Sequence, residues 1–258
     1  MKNKPLISII TVVYNGEKFL EKTIQSVINQ TYKNIEYIII DGGSTDATVD
    51  IIKKYEEYIS YWVSEKDAGI YDAMNKGIQI AKGEWLNFMN AGDSFYDDGI
   101  VSFVANITND STTLIYGLDQ LIDGKHKKIR NMRPLKTAYI GMPFSHQSMF
   151  VRKRFHEKNL YNLKYKICSD YDFVCNMEKK HVKYQMFNKV FVNCSSGGIS
   201  DVYSYKALRE TISIALKHYP EPIVYFIHYK VLLIANIKRI IKYILSDHLI
   251  YKIRQWKF

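Results

Sequence analysis

The chain has 258 residues, 47% of them apolar and 24% charged, with three cysteines and a formal net charge of +10. That length can bury a full hydrophobic core, and a composition free of low-complexity tracts excludes a disordered chain. Cys168, Cys175 and Cys194 show no CxxC spacing and no histidine cluster, which excludes a disulfide framework or a zinc site and points to a reducing compartment.

Residues 6–13 (LISIITVV) form a nearly continuous β-branched run ended by Asn15-Gly16, the pattern of a strand buried on both faces. The run carries Ser8 and Thr11 and lacks a small-residue cleavage site, so it reads as a strand and not as a signal peptide. Between Glu17 and Gln30, Phe19, Leu20, Ile24, Val27 and Ile28 recur at helical spacing, and Asn15 is placed to cap that helix. The pattern repeats, with a strand over 35–41, a Gly42-Gly43-Ser44 turn, a helix over 45–57, a strand over 58–64, a helix over 70–81 and a strand over 85–89. This alternation predicts an α/β fold with a mainly parallel sheet, in which ligands sit beyond the carboxyl ends of the strands. Those ends read Tyr14-Asn15, Asp41-Gly42-Gly43, Glu65-Lys66-Asp67 and Asn90-Ala91-Gly92-Asp93. One aspartate after a strand is ordinarily a turn or cap residue. Four polar ends on one rim are harder to assign to capping.

Beyond about residue 100 the alternation weakens. A strand is expected near 113–116, loops at Arg133-Pro134 and Gly141-Met142-Pro143, and a strand over 147–151. A helix is expected over 169–179, with Tyr171, Val174 and Met177 on one face and Ser169 as its cap. In the last forty residues the apolar stretches 223–227 and 231–237 are interrupted by Lys230, Lys238, Arg239, Lys242, Lys252, Arg254 and Lys257. No stretch reaches the ~20 apolar residues that span a bilayer. Two readings stand: helices lying in a membrane interface with lysines toward lipid phosphates, or ordinary helices closing the domain. The basic balance likewise admits nucleic acid, an anionic membrane surface, or a composition bias toward Lys, Ile, Asn and Tyr.

Several stretches carry a resemblance. These are SIITVVYN (8–15), LEKTIQSVINQ (20–30), DGGSTD (41–46), EKDAGIYDAMNKG (65–77), NAGD (90–93), FSHQ (144–147) and SDYD (169–172). Together they resemble the family-two inverting glycosyltransferases of the GT-A fold, over roughly residues 6–200. The resemblance implies a nucleotide-sugar-binding half over 1–100, an acceptor-binding and catalytic half over 101–215, and a basic amphipathic helical tail over 216–258. Asp41 would accept hydrogen bonds from the nucleobase or ribose, Thr11, Val13 and Tyr14 would border that pocket, and Asp67 would lie on its base or ribose side. Donor contacts are further implied at Asn75, Asn90, Ala91 and Gly92. Asp93 would hold a Mg²⁺ or Mn²⁺ ion bridging to the diphosphate. Asn90 and Gly92 stand where aspartates are common, which implies a loosely held ion.

The same resemblance makes Asp170 the catalytic base, where spacing alone reads a helix-start residue, and Asp172 is its local competitor. His146 and Gln147 would contact acceptor or diphosphate, although a structurally satisfied histidine fits the residues equally. Met74 stands where many relatives carry an arginine, so Lys82 or Lys76 would supply the missing cation. Ser195 to Ser200 would form a Gly-rich loop closing over the donor. The expected partners are a nucleotide-sugar donor, by family frequency a UDP-sugar, and a saccharide or lipid-linked saccharide acceptor in surface-polysaccharide synthesis. The expected location is cytoplasmic and peripheral at the inner face of the cell membrane. A nucleic-acid-binding protein is disfavoured because the strand-end cluster is acidic, and the depleted metal motif leaves a non-catalytic nucleotide-sugar-binding protein as the alternative. A nucleotidyltransferase would need a phosphate-binding Gly/Arg/Lys loop after the first strand, which is missing.

Overall fold

A computed structural model describes residues 4–198 and 204–244 of the chain. The first half is built from β1 (Ile7–Val13), α1 (Leu20–Ile28), β2 (Ile35–Asp41), α2 (Thr48–Lys54), β3 (Tyr61–Ser64), α3 (Ile70–Ile80) and β4 (Trp85–Phe88). β1, β2, β3 and β4 are mutually parallel, with β1 and β2 in unbroken register from Ile7 opposite Ile35 to Val13 opposite Asp41. Every residue of β1 is buried because both its faces are covered. Ile10 and Val12 meet Tyr71, Met74 and Ile78 of α3 on one side, while Ile7, Ile9 and Val13 meet Leu20, Ile24 and Val27 of α1 on the other. Gly77 lets α3 sit directly on the sheet, since a Cβ there would lie 2.6 Å from Ile10 Cγ2. The α/β arrangement with a mainly parallel sheet expected over this half of the sequence is the arrangement observed.

Beyond β4 come β5 (Ser94–Phe95), α4 (Ile100–Ile107), β6 (Leu114–Asp123), β7 (His126–Arg130), a 3₁₀ stretch over Leu135–Ile140 and a 3₁₀ turn over His146–Ser148. β8 (Met149–Arg152), α5 (Lys153–Glu157), α6 (Ser169–Lys179), β9 (Tyr184–Ser195), α7 (Ser204–His218) and α8 (Pro222–Ile244) follow. The sheet continues without a break as β3-β2-β1-β4-β8-β6-β9-β5, and β7 pairs with β6. Its second half is mixed, with β8 antiparallel to both β4 and β6, and β9 parallel to β6.

Two expected caps are not made. Asn15 sits at φ +48° outside α1, and its Oδ1 accepts the N–H of Thr45 at 2.9 Å, so it ties the loop after β1 to the loop after β2. Ser169 lies inside the first turn of α6 and donates to the Asn162 carbonyl at 3.0 Å. The helix expected over 45–57 is α2 followed by a separate 3₁₀ turn, Glu56–Tyr58.

The two C-terminal helices behave differently. α7 closes the domain: Ile214 and Ala215 are buried, and Glu210 accepts N–H bonds from Ile167 and Cys168. α8 buries Val224 and His228 but exposes Ile223, Tyr225, Phe226, Tyr229, Leu233, Ile234 and Ile237. Among the described residues no helix is long and apolar enough to cross a membrane. Lys252, Arg254 and Lys257 lie outside the described residues.

Candidate active site

Parallel pairing brings the carboxyl ends of β1, β2, β3 and β4 to one rim. Asp41 ends β2 fully buried, and its Oδ2 accepts from Ser64 Oγ at 2.6 Å, Ser44 N at 2.9 Å and Gly43 N at 3.2 Å. Ser44 Oγ donates to its Oδ1. The carboxylate therefore shapes the glycine turn, and the acceptor capacity it has to spare is on Oδ1. The next residue shows why glycine is required: a Cβ on Gly42 would lie 2.5 Å from Asp67 Oδ2, so the two acidic loops are in direct contact. Tyr14 projects from the same rim with 65% of its surface exposed, while the Gly42 N–H takes the Val13 carbonyl at 2.9 Å. Thr11 is fully buried one turn of the pleat below, against Tyr37 OH at 3.1 Å, so only its strand and not its side chain borders the rim.

The loop after β4 carries the second acidic centre. Asp93 is buried, with Gln147 Nε2 donating to Oδ2 at 2.6 Å and Ser195 N to Oδ1 at 3.0 Å. Thr23 Oγ1 donates to its carbonyl and accepts the Gly92 N–H at 3.0 Å, so it holds the backbone on both sides of the Gly92-Asp93 peptide. Burial pushes the Asp93 carboxyl above the usual carboxylate range, against the bonds from Ser195 and Gln147 and the field of His146.

One residue earlier in the 3₁₀ turn, His146 places Nδ1 3.1 Å from Asp170 Oδ2 and Nε2 3.0 Å from Asn90 Nδ2. Tyr71 OH at the start of α3 lies 2.9 Å from Asp170 Oδ1, and the Tyr171 N–H reaches the same oxygen. Burial raises the Asp170 pKa, but His146, Tyr71 and Tyr171 outweigh it and hold the carboxyl below its ordinary value. The side chains of His146 and Asp170 each keep 17% exposure, enough to meet a substrate. Adjacent residues of one turn thus grip Asp93 and Asp170, putting both acids at one place.

Asp172, the alternative base, is committed elsewhere. Its Oδ1 pairs with His218 Nε2 at 2.7 Å and Lys217 Nζ at 2.9 Å, joining α6 to the last turn of α7. Those partners hold its pKa down against burial.

The expected phosphate cation needs correction. Lys82 precedes β4, and its N–H bonds Glu36 at the start of β2, which puts it at the amino edge of the sheet. The seven residues of β1 separate it from the rim, about 20 Å at ~3.3 Å per residue. Lys76 is paired with Glu65 at 2.7 Å, which raises its pKa. Asn75 spends both ends of its amide on the Tyr161 backbone, at 2.9 Å each, and ties α3 to the segment before α6. Ser195 and Ser196 are also anchored: Ser195 Oγ donates to the Gly92 carbonyl at 2.6 Å and Ser196 N to the Ile122 carbonyl at 2.9 Å. Ile199 and Ser200 lie outside the described residues.

Tyr71 and Thr23 carry site contacts that sequence reading gave no role. Tyr71 stood inside the EKDAGIYDAMNKG stretch, so position offered a signal for it.

Among the described residues no three His, Cys, Asp or Glu side chains converge on a point that would cage a metal. The rim offers Asp93 and, in the same turn, Asn90 Oδ1, which is buried without a hydrogen-bond partner. One carboxylate and one amide oxygen suit a hard divalent cation whose other ligands come from phosphate and water.

The profile of Glycosyl transferase family 2 matches residues 8–183. A PGL/p-HBAD biosynthesis glycosyltransferase of Mycobacterium tuberculosis is 31% identical over 175 residues, 66% of this chain and 68% of its own length. Among solved structures, S. aureus TarS 1-349 in complex with UDP-GlcNAc superposes with a TM-score of 0.65 at 17% identity, over 81% of this chain and 66% of that one. The mannosyltransferase PcManGT from Pyrobaculum calidifontis, in complex with GDP-Man and Mn²⁺, superposes with a TM-score of 0.65 at 15% identity, over 90% of this chain and 70% of that one. The family match spans well over half the sequence and includes both acids held by the 146–147 turn, so the chain belongs to glycosyl transferase family 2 and is a glycosyltransferase.

Proposed function

We propose that this glycosyltransferase inverts the anomeric carbon as it moves a sugar from a UDP-sugar to a hydroxyl of a saccharide or lipid-linked saccharide, in the synthesis of a surface glycan. One observation carries the reading: consecutive residues His146 and Gln147 bond Asp170 and Asp93, so a base and a phosphate-side acid face one reaction centre. The neighbours solved with UDP-GlcNAc and GDP-Man support a nucleotide-sugar donor, and the glycan-biosynthesis relative supports the product class.

In this reading Tyr14, Asp41 and Asp67 border the nucleoside, and the turn Asn90-Ala91-Gly92-Asp93 lies under the diphosphate. Asp170 takes the proton of the acceptor hydroxyl as that oxygen bonds to the anomeric carbon. The bond from that carbon to the diphosphate oxygen breaks on the opposite face, and the nucleoside diphosphate leaves with the electron pair. A carboxylate with a depressed pKa is a weak base at rest. It suffices because the hydroxyl becomes acidic only as its bond to carbon forms. A Mg²⁺ or Mn²⁺ ion held by Asp93 and Asn90 would offset charge on the departing diphosphate.

The exposed apolar residues of α8, with Lys230 among them, support peripheral attachment to the cytoplasmic face of a membrane. Removing the residues after 218 should then abolish partitioning to anionic vesicles. Unchanged partitioning refutes the attachment.

The reaction is tested by nucleotide release from UDP-, GDP- and dTDP-sugars with a saccharide acceptor panel, and by product anomeric configuration from NMR. Asp170→Asn should lower turnover by roughly 10²–10⁴-fold while donor binding by calorimetry persists. A variant that keeps full turnover removes Asp170 as the base. A wild-type protein that binds UDP-sugars but never turns them over is a binding protein instead.

A further inference from the structure

The reaction just described leaves α7 without a part, although side chains of α7 reach the backbone that delivers the base. At its start α6 has no side-chain cap. The three N–H groups leading into it, those of Lys166, Ile167 and Cys168, converge instead on the carboxylate of Glu210 in α7, at 3.2, 2.9 and 3.0 Å. Consecutive N–H groups turned to one side make a concavity that suits an anion, and each bond to a carboxylate is charge-assisted. Ala207 and Thr211 lie at helical spacing from Glu210 on the same face of α7. Both address the same turn: Cys168 Sγ donates to the Ala207 carbonyl at 3.4 Å, and Thr211 Oγ1 donates to that sulfur at 3.6 Å.

Asp170 stands two residues beyond Cys168, and a single peptide links it to Glu210. The peptide between Ile167 and Cys168 gives its N–H to Glu210, while its carbonyl accepts Tyr71 OH at 2.6 Å. The same hydroxyl lies 2.9 Å from Asp170 Oδ1. A phenol has one proton to give, so Tyr71 is shared between this carbonyl and the base. Where the carbonyl points therefore decides how Tyr71 meets the carboxylate. A peptide is planar, so Glu210, by holding the N–H, also fixes the direction of the carbonyl. Without that carboxylate three neighbouring N–H groups lose their acceptor and the peptide is free to turn.

We propose that Glu210 is a positioning residue for the base, acting through the 166–168 backbone and Tyr71 to hold Asp170 where it faces the acceptor hydroxyl. The inference rests on Asp170 as the base of the proposed transfer, and it makes α7 part of the catalytic unit as well as the helix that closes the domain. Glu210 lies beyond residue 183, where the family match ends. The two helices are tied elsewhere as well, by Asp172 with Lys217 and His218, and Tyr219 just past α7 donates to Glu178. Those bonds hold α6 itself, whereas Glu210 holds the loop that enters it.

The test uses the full chain labelled with ¹⁵N-histidine. The ring signals of its seven histidines are assigned by single substitutions, His146→Gln removing that of His146. Nδ1 of His146 stands 3.1 Å from Asp170 Oδ2, so its signal reports where the carboxylate is. Glu210→Ala should shift that signal. Asp172→Asn, which loosens the same two helices, should leave it in place and move the signal of His218. In turnover, read as UDP release from UDP-sugars, Glu210→Ala should lower kcat by roughly 10- to 100-fold while the Kd of UDP, from calorimetry, stays within about twofold. Glu210→Gln keeps one acceptor oxygen for the N–H groups and should recover part of both effects. A melting curve checks that each variant folds, and the glutamine variant carries the test if the alanine variant does not. The positioning role is overturned by a His146 signal that stays in place when Glu210 is replaced, or one that moves as far in Asp172→Asn. Unchanged kcat, or UDP affinity that falls in step with kcat, overturns it too. The signal needs no turnover, so a protein whose His146 responds to Glu210 yet transfers no sugar would refute the reaction and leave the hold of Glu210 on Asp170 standing.

Discussion

At the residue scale, the contact with most consequence is His146 on Asp170. An ionised Asp170 accepts the Nδ1–H of His146, which leaves Nε2 to accept from Asn90 Nδ2 and leaves Asn90 Oδ1 without a partner, as observed. His146 thereby lowers the pKa of the base, while burial alone would raise it. His146→Ala should move the acid limb of the turnover–pH profile to higher pH and cut turnover at neutral pH roughly tenfold. His146→Gln, which keeps a donor, should recover part of the shift. An acid limb that stays in place in the alanine variant would make the histidine a packing residue. Asp41, Asp67, Asp93 and Asp170 were legible because each stands in a motif at a strand or helix end, where chain direction fixes the side of the sheet. The same rule excludes Lys82, which precedes a strand instead of following one. Tyr71 was not legible as a site residue, because it reaches Asp170 through a contact between residues 99 apart in the chain.

At the element scale, the parallel half of the sheet was readable because burial on both faces forces an apolar run, and β1 and β2 carry it in plain view. α6 was readable for its helical face. β7 and β9 were not. Every residue of β7 is exposed, so no hydrophobic period marks it, and the twelve residues of β9 alternate only weakly, with Gln185, Asn188 and Lys189 among the apolar positions. Asn15 and Ser169 looked like caps because both stand at the start of helical periods, but Asn15 is taken by the loop after β2 and Ser169 by the carbonyl of Asn162 in the segment before α6. The pair formed by α6 and α7 yields its own prediction. Asp172→Asn removes the charge that His218 and Lys217 share, and with Lys217 half exposed its contact adds little. The loss should be about 1 kcal/mol, or roughly 2–4 °C in Tm for a chain of this size. Because Asp172 is held below its ordinary pKa, its contribution is present above about pH 4 and is lost as pH falls through the folded value. The turnover–pH profile should not move in this variant. A moved profile would return Asp172 to the chemistry.

At the scale of the whole molecule, one buried cluster joins the two halves of the sheet. His156, at the end of α5, is fully buried, stacked on Phe173 of α6 at 4.6 Å and edge-on to Phe88 of β4 at 5.7 Å. Tyr161 packs on all three rings, and its backbone is the part gripped by Asn75 of α3. Neither ring nitrogen of His156 has a hydrogen-bond partner, and burial pushes its pKa down to about 3. In the unfolded chain the same side chain titrates near ~6.5. Above that value both states are neutral and nothing is lost. As pH falls, the unfolded state binds a proton that the native state refuses, so stability declines from about pH 6.5 until the folded pKa is passed. At pH 5 the loss is about 2 kcal/mol. Asp93 and Asp119, both raised by burial, act in the opposite direction, since the native state binds their protons more readily. His156→Phe keeps an aromatic ring in the slot and removes the titration. In urea unfolding the wild type should therefore lose about 2 kcal/mol between pH 7 and pH 5, and the variant should lose less than half of that. If wild type and variant lose stability in parallel over that interval, acid sensitivity does not originate where the two halves of the sheet are locked together.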